Sequence, residues 1–268
     1  MTRNMKRWFR RGSLLLAVSL WLPTQALAYT VEPRLLRLGV GGGDSSAFLR
    51  LSNRAAKPAA VEIVINEFDR DLDGRGVIGR EADDDFIVYP AQVILMPGDE
   101  TSVQVRWIGE AVSNVERAFA LTTREVVIPR QDQEQAFVSE GIGEGAGEGV
   151  RINVNVLTNY DVRIYVTPRG AKPKVTVEAT SVHTQPEGNL LEVTLANQGT
   201  AHHPLRNLSL VLMPLQPGGA SLRQSPVTQA AKDVPGMSAA LLAGGRRRLL
   251  IPWPAGLSAG SMRVVLSD

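Results

Sequence analysis

The sequence predicts an all-β protein made of two β-sandwich domains in tandem. Three observations carry that expectation. Nearly every readable segment alternates apolar and polar residues, and long amphipathic helical windows are missing; a period of two marks a strand with one buried face. Glycine and proline separate the segments at Gly41-Gly42-Gly43, Asp73-Gly74, Pro97-Gly98, Pro217-Gly218-Gly219 and Gly244-Gly245, residues whose backbone geometry suits turns. A strand–turn grammar also recurs in the same order. Phe48-Leu49-Arg50-Leu51-Ser52-Asn53 matches Glu192-Val193-Thr194-Leu195-Ala196-Asn197, and Leu95-Met96-Pro97-Gly98 before 103–107 matches Leu242-Ala243-Gly244-Gly245 before 249–253. Many short strands in a duplicated unit read as two immunoglobulin-like sandwiches.

Taken in order, the chain opens with Arg3, Lys6, Arg7, Arg10 and Arg11, then an apolar run over 14–22, then Gln25-Ala26-Leu27-Ala28. A basic start, a short apolar stretch and a small-x-small end predict a secretory signal over 1–28, cleaved after Ala28. The alternative is a membrane anchor, which needs about 18 or more apolar residues; neither this run nor a later segment supplies them. The chain carries 29 Lys+Arg against 27 Asp+Glu, a net of +2. Loss of five basic residues and no acidic ones takes the mature net charge to −3. A mildly acidic chain offers no electrostatic case for nucleic acid or anionic membrane. There is no cysteine, so disulfides, thiolate metal sites and cysteine nucleophiles are excluded. The remaining 240 residues suit two ordinary cores.

Candidate strands run over 47–51, 60–64, 86–88, 102–107, 118–128, 150–166, 174–179, 190–196, 208–212, 246–251 and 263–266. The seam falls at Thr167-Pro168-Arg169-Gly170, where proline and glycine interrupt the alternation, giving domains over 29–168 and 169–268. The stretch 130–150 is rich in Gln, Glu and Gly. It has too little apolar surface to order itself, so it reads as a long flexible loop before the longest alternating strand.

Three blocks follow one another in the first domain: Phe86-Ile87-Val88-Tyr89-Pro90, then Leu95-Met96-Pro97-Gly98-Asp99-Glu100 with Val103-Gln104-Val105-Arg106-Trp107, then Phe119-Ala120-Leu121-Thr122-Thr123-Arg124-Glu125-Val126-Val127-Ile128-Pro129. In this order and spacing they resemble the PapD-like periplasmic chaperones of the chaperone–usher pathway. That family's pattern runs apolar-x-x-Pro-Pro, Leu-x-Pro-Gly, a Val-Arg strand and an aromatic-rich strand ending in Arg-Glu-x-x-Pro. The likeness continues through 150–168 and, more weakly, through the second domain. It implies a periplasmic chaperone, not an enzyme and without a cofactor. Such a protein holds pilus or fimbrial subunits by donor-strand complementation and delivers them to an outer-membrane usher.

The residues supply the chemistry such a protein needs. Val150, Ile152, Val154, Val156, Thr158, Tyr160 and Val162 point to one side of an extended strand, and Arg151, Asn153, Asn155, Leu157, Asn159 and Asp161 to the other. By resemblance Val150, Ile152, Val154, Val156 and Thr158 form the donor strand, lending backbone hydrogen bonds and side chains to a subunit that lacks its last strand. Period-two alternation equally describes inward core residues of a central strand. The resemblance also implies a basic pair in the inter-domain cleft that grips the subunit's terminal carboxylate. Its members fall on Arg34, or on Arg37 in an ungapped alignment, and on Arg163. The family usually has lysine at the latter position; arginine offers a planar fork for bidentate binding. A solvated surface charge is the plain alternative for each. An exposed apolar strand also makes a self-capping homodimer an expectation.

Several features depart from the family pattern. The basic residue often found before the closing proline is Thr167, which puts the inter-domain ion-pair network around Glu125 in doubt. The absent disulfide, the 69–74 hairpin and the Gly/Glu loop resemble the archaic or alternative branch. Asp69-Arg70-Asp71-Leu72-Asp73-Gly74 imitates a calcium loop, but Arg80 stands where the bidentate acid belongs, so a decorated hairpin is expected. Asp83-Asp84-Asp85 reads as a solvated turn. His202 and His203 would face opposite ways on extended backbone and, with His183 the only other histidine, make a poor metal set. Arg246-Arg247-Arg248 reads as an edge strand whose charges discourage pairing. The other functional reading is a structural fimbrial subunit or surface adhesin, which should show an incomplete domain and an N-terminal alternating extension.

Overall fold

The computed structural model describes residues 29–110, 114–127, 157–186, 188–215, 225–255 and 260–267, and among them there are strands, turns and short 3-10 segments but no α-helix. The first unit holds β1 (Tyr29–Glu32), β2 (Leu35–Gly39), β3 (Ser46–Asn53), β4 (Ala59–Arg70), β5 (Gly76–Glu81), β6 (Phe86–Tyr89), β7 (Gln92–Leu95), β8 (Glu100–Trp107), β9 (Arg117–Val126) and β10 (Asn159–Thr167). The second holds β11 (Val175–His183), β12 (Leu190–Asn197), β13 (His203–Pro204), β14 (Ser209–Pro214), β15 (Val227–Ala230), β16 (Ala240–Leu241), β17 (Arg246–Pro252) and β18 (Met262–Ser267).

In the first unit one sheet runs β1-β3-β8-β6 and the facing sheet β2-β10-β9-β4-β5, with β7 against β4. Alternation does what the sequence promised: in β8, Val103, Val105 and Trp107 are buried while Glu100, Ser102, Gln104 and Arg106 are exposed. The inward residues of both sheets form one core that includes Leu49, Leu51, Ile65, Leu121, Val162 and Ile164. Phe86, Trp107 and Phe119 close one end as an aromatic cluster with centroids 4.9–5.5 Å apart, the edge-on geometry that aromatic quadrupoles favour. The second unit has its own core, built around Leu191, Val193, Leu195, Leu210, Leu212, Met237, Leu249 and Ile251. Its sheets run β11-β12-β17 and β15-β14-β18, with the short pair β13-β16.

The internal repeat is physical. Asn53 ends β3 fully buried and donates Nδ2–H to the Lys57 and Leu95 carbonyls, while its Oδ1 accepts from Ala55 N–H. Asn197 ends β12 in the same way, donating to the Ala201 and Leu242 carbonyls and accepting from Gly199 N–H. Each asparagine also exchanges backbone bonds with the following glycine turn, Gly98-Asp99 in one unit and Gly244-Gly245 in the other. Gly98 and Gly244 both have positive φ, +87° and +69°, a conformation that a Cβ disfavours. An identical side-chain lock thus fixes the same turn in both sandwiches.

A third, small cluster lies between the units: Phe68, Ala120, Tyr165 and Leu242, with Leu35 and Ala118 against it. The β4–β5 hairpin reaches across as well. Arg248 N–H donates to the Leu72 carbonyl at 2.7 Å, and the Arg248 guanidinium grips Asp73 at 2.7 and 3.0 Å. Gly74, with φ +85°, lies flat against the Arg247 guanidinium. The 69–74 segment is therefore the hairpin expected. The Arg246-Arg247-Arg248 expectation needs correcting: β17 is an edge strand, but Arg247 is 1% exposed and Arg248 is tied to the first unit.

Candidate functional site: an open strand edge beside a basic cleft

The site is organised by β10. On one side it pairs antiparallel with β9 from Asn159 opposite Arg124 to Val166 opposite Arg117. On the other side it pairs with β2, in parallel, only from Arg163 opposite Leu35 onward. Among the described residues no strand lies along that side of Asn159–Val162. Among the described residues the N–H and C=O groups there form an open ladder.

The faces of β10 are set by parity. Val162, Ile164 and Val166 lie in the core at 0, 0 and 2% exposure, and half-buried Tyr160 packs against the same core. Thr158, also half-buried, is held at the strand's entrance. Its N–H donates to Glu125 Oε2 at 3.0 Å, and its carbonyl accepts from Glu125 N–H and lies 3.0 Å from the Tyr29 hydroxyl. Burial, with smaller contributions from its neighbours, pushes the Tyr29 phenol up to about 12, so it stays a donor. The other donor-strand candidates, Val150, Ile152, Val154 and Val156, lie outside the described residues.

Odd-numbered residues of β10 lie on its other face, and Tyr165 among them meets the second unit. Arg163 lies over the Phe68 ring, 3.9 Å from its centroid, and Tyr165 stacks on His202 at 3.7 Å. The Arg163 side chain retains 26% exposure, and its closest carboxylate, Asp161, is 3.9 Å away. Burial draws this guanidinium below its ordinary value, Asp161 opposes that, and Arg70 adds to it. Arg34 is brought close only through its backbone, whose carbonyl accepts from Arg163 N–H at 3.1 Å. Its guanidinium stacks instead on Tyr160, 4.4 Å from the centroid, which belongs to the core-side set of β10. Arg37, opposite Tyr165 in the ladder, is exposed and acts electrostatically on the Tyr165 hydroxyl.

The buried acid shared between the units is Glu116, not Glu125. Glu125 is occupied by Thr158 within the first unit. Glu116, with its side chain 2% exposed, accepts from Thr167 Oγ1 at 2.7 Å, His202 N–H at 2.9 Å and His202 Nδ1 at 2.6 Å. Its own N–H donates to the Thr200 carbonyl. Burial alone would raise the carboxyl, but the bonds from His202 and Thr167 outweigh it and hold the group below its usual range. Thr167 thus keeps a place in the network as a neutral donor, with His202 supplying the rest from the second unit. Sequence reading missed Phe68, Arg70, Glu116 and Tyr165. For Phe68 and Arg70 the signal was present, since the two share a parity at the end of a strand.

No family model and no curated protein matches the chain. Solved structures do. One is a chaperone–tip adhesin complex of CFA/I fimbriae biogenesis, with TM-score 0.52 and 11% identity over 90% of this chain and 98% of that one. Another is the chaperone–tip adhesion subunit pre-assembly complex of the archaic chaperone–usher Csu pili of Acinetobacter baumannii, with TM-score 0.50 and 13% identity over 90% and 98%. The chain therefore has the fold of these chaperones, two immunoglobulin-like sandwiches.

Proposed function

We propose that this protein is a periplasmic chaperone of the chaperone–usher pathway, which captures pilus or fimbrial subunits by donor-strand complementation and delivers them to an outer-membrane usher. One observation carries the reading: among the described residues, a strand whose core-facing parity is apolar leaves part of its ladder open beside an incompletely paired arginine. A subunit strand laid along Asn159–Val162 would gain backbone bonds, and the donor segment would continue upstream through Thr158, Val156, Val154, Ile152 and Val150. Each valine or isoleucine buried in a subunit groove contributes about 1.5–3 kcal/mol. Arg163 anchors the subunit's terminal carboxylate. Export by a signal over 1–28 puts the protein where such subunits emerge. A second core of its own favours this reading over a structural subunit or adhesin, and binding rather than catalysis is the activity it supports. A self-capping dimer would use the same open ladder.

The test is coexpression with secreted pilus subunits, beginning with any encoded beside this gene, followed by copurification through a tag on the chaperone. A one-to-one complex is the expected product. Failure of the wild-type chain to retain any such subunit overturns the proposal.

A further inference from the structure

Arg163 does not stand alone in the cleft. The Phe68 ring, 5% exposed, carries a second guanidinium, that of Arg70, 5.1 Å from its centroid. Phe68 and Arg70 are two apart at the end of β4, so one ring seats both cations, Arg70 from its own strand and Arg163 from β10 across β9. A third cation, Arg247, rises from β17 close enough to interact electrostatically with Arg70. Like charges gathered in a half-buried cleft repel and lose solvation, and such an arrangement persists when something of opposite charge compensates it.

The protein itself compensates Arg247 through Asp71 and Asp73 and gives Arg70 and Arg163 less. Asp161 is 3.9 Å from Arg163 Nη2, too far for a hydrogen bond. Asp73 is taken by Arg248 and Arg75. Asp71 Oδ1 accepts from Arg75 N–H, and Asp69 Oδ1 from the backbone N–H of Arg70. Arg70 gives Nη1–H to the Gly74 carbonyl, and Arg247 gives its two terminal nitrogens to the Gly236 and Ala240 carbonyls. What remains is three buried donor nitrogens without partners, Arg70 Nε, Arg163 Nη1 and Arg247 Nε. A buried charged donor left unsatisfied is costly, and here two of them belong to the guanidinia that share the Phe68 ring, while the third, on Arg247, lies across Gly74 from Arg70.

We propose that Arg70 is the second cation of the carboxylate site, clamping a chain-terminal carboxylate together with Arg163 over the Phe68 ring, with Arg247 adding charge from the second domain. The assignment rests on the proposed subunit-binding function and names its partner residue: Arg34 is engaged with Tyr160, and Arg70 takes the place beside Arg163. The site accepts a planar carboxylate, matched by two guanidinium forks.

Two measurements test it. In the first, the wild-type chain, labelled with nitrogen-15, is titrated with sodium acetate while the arginine Nε–H resonances are followed. The Arg70 signal should shift saturably, and Arg163→Gln should weaken that response about tenfold or more. In the second, Arg70→Gln is coexpressed with the neighbouring subunit and should reduce capture about 10- to 100-fold, with Arg70→Lys recovering part of it and Arg34→Gln reducing it far less. An Arg70 signal that moves no more than that of exposed Arg50, or undiminished capture by Arg70→Gln beside a capturing wild type, overturns the assignment. Should the wild type capture no subunit, the proposed function fails, and the acetate response alone decides for or against Arg70.

Discussion

Replacing Arg163 by glutamine keeps a long polar side chain over Phe68 but removes the charge and the fork. The loss falls on the ligand, because its closest internal partner, Asp161, sits 3.9 Å away in a largely exposed position, where ion pairs contribute little. Subunit capture should drop at least tenfold while the unfolding temperature of the free chain moves by no more than a few degrees. Gly74 gives the reverse pattern. Its φ of +85° and the Arg247 guanidinium against it leave no room for a Cβ. Gly74→Ala should cost about 1–3 kcal/mol, read as a lower unfolding temperature with loosened domain docking. Asn53 and Asn197 each satisfy several backbone groups inside a sandwich. Alanine at either should cost about 2–4 kcal/mol, and the two losses should be similar in size because the two locks are the same.

The strand is the scale on which the capture mechanism is tested. If the parity of Val162 and Ile164 governs the donor segment, Val154→Asp should weaken capture far more than Asn155→Asp in the copurification assay; equal effects would reject the alternation. It is also the scale on which the sequence was most legible. The predicted strands over 47–51, 60–64, 102–107, 190–196 and 246–251 all lie within described strands, because one buried face writes a period of two. The seven unlisted strands, β1, β2, β5, β7, β13, β15 and β16, are short or exposed. In β5 all six residues face solvent, so burial writes no pattern there, and β13 and β16 have two residues each. The repeat was visible because Asn53 and Asn197 hold turns that few other side chains can hold. The cleft was not. Arg163 came from a motif, and Phe68 and Arg70 share a parity on β4, but Glu116 meets His202 and Arg247 meets Gly74 only through the angle at which the two sandwiches dock. No local periodicity encodes that angle.

For the whole molecule the decisive joint is Glu116. Its carboxylate is shared between Thr167 of the first unit and His202 of the second, and His202 is in turn stacked on Tyr165. Because these bonds hold the folded-state value below the ordinary 4.5, the folded protein binds this proton less readily than the unfolded chain. The stabilisation is therefore complete above pH 4.5 and is lost as pH falls through the depressed folded value. A protonated Glu116 keeps one acceptor oxygen where three donors converge, so the joint loosens before either core does. Glu116→Gln lacks the titration and carries that weaker joint at every pH. Between pH 6 and pH 3 the wild type should lose more unfolding temperature than Glu116→Gln, and the two curves should converge at the acid end. Small-angle scattering of the wild type should show its radius of gyration growing over the same range. Parallel curves for the two proteins would show that the acid response arises elsewhere and that Glu116 does not govern how the cleft is held.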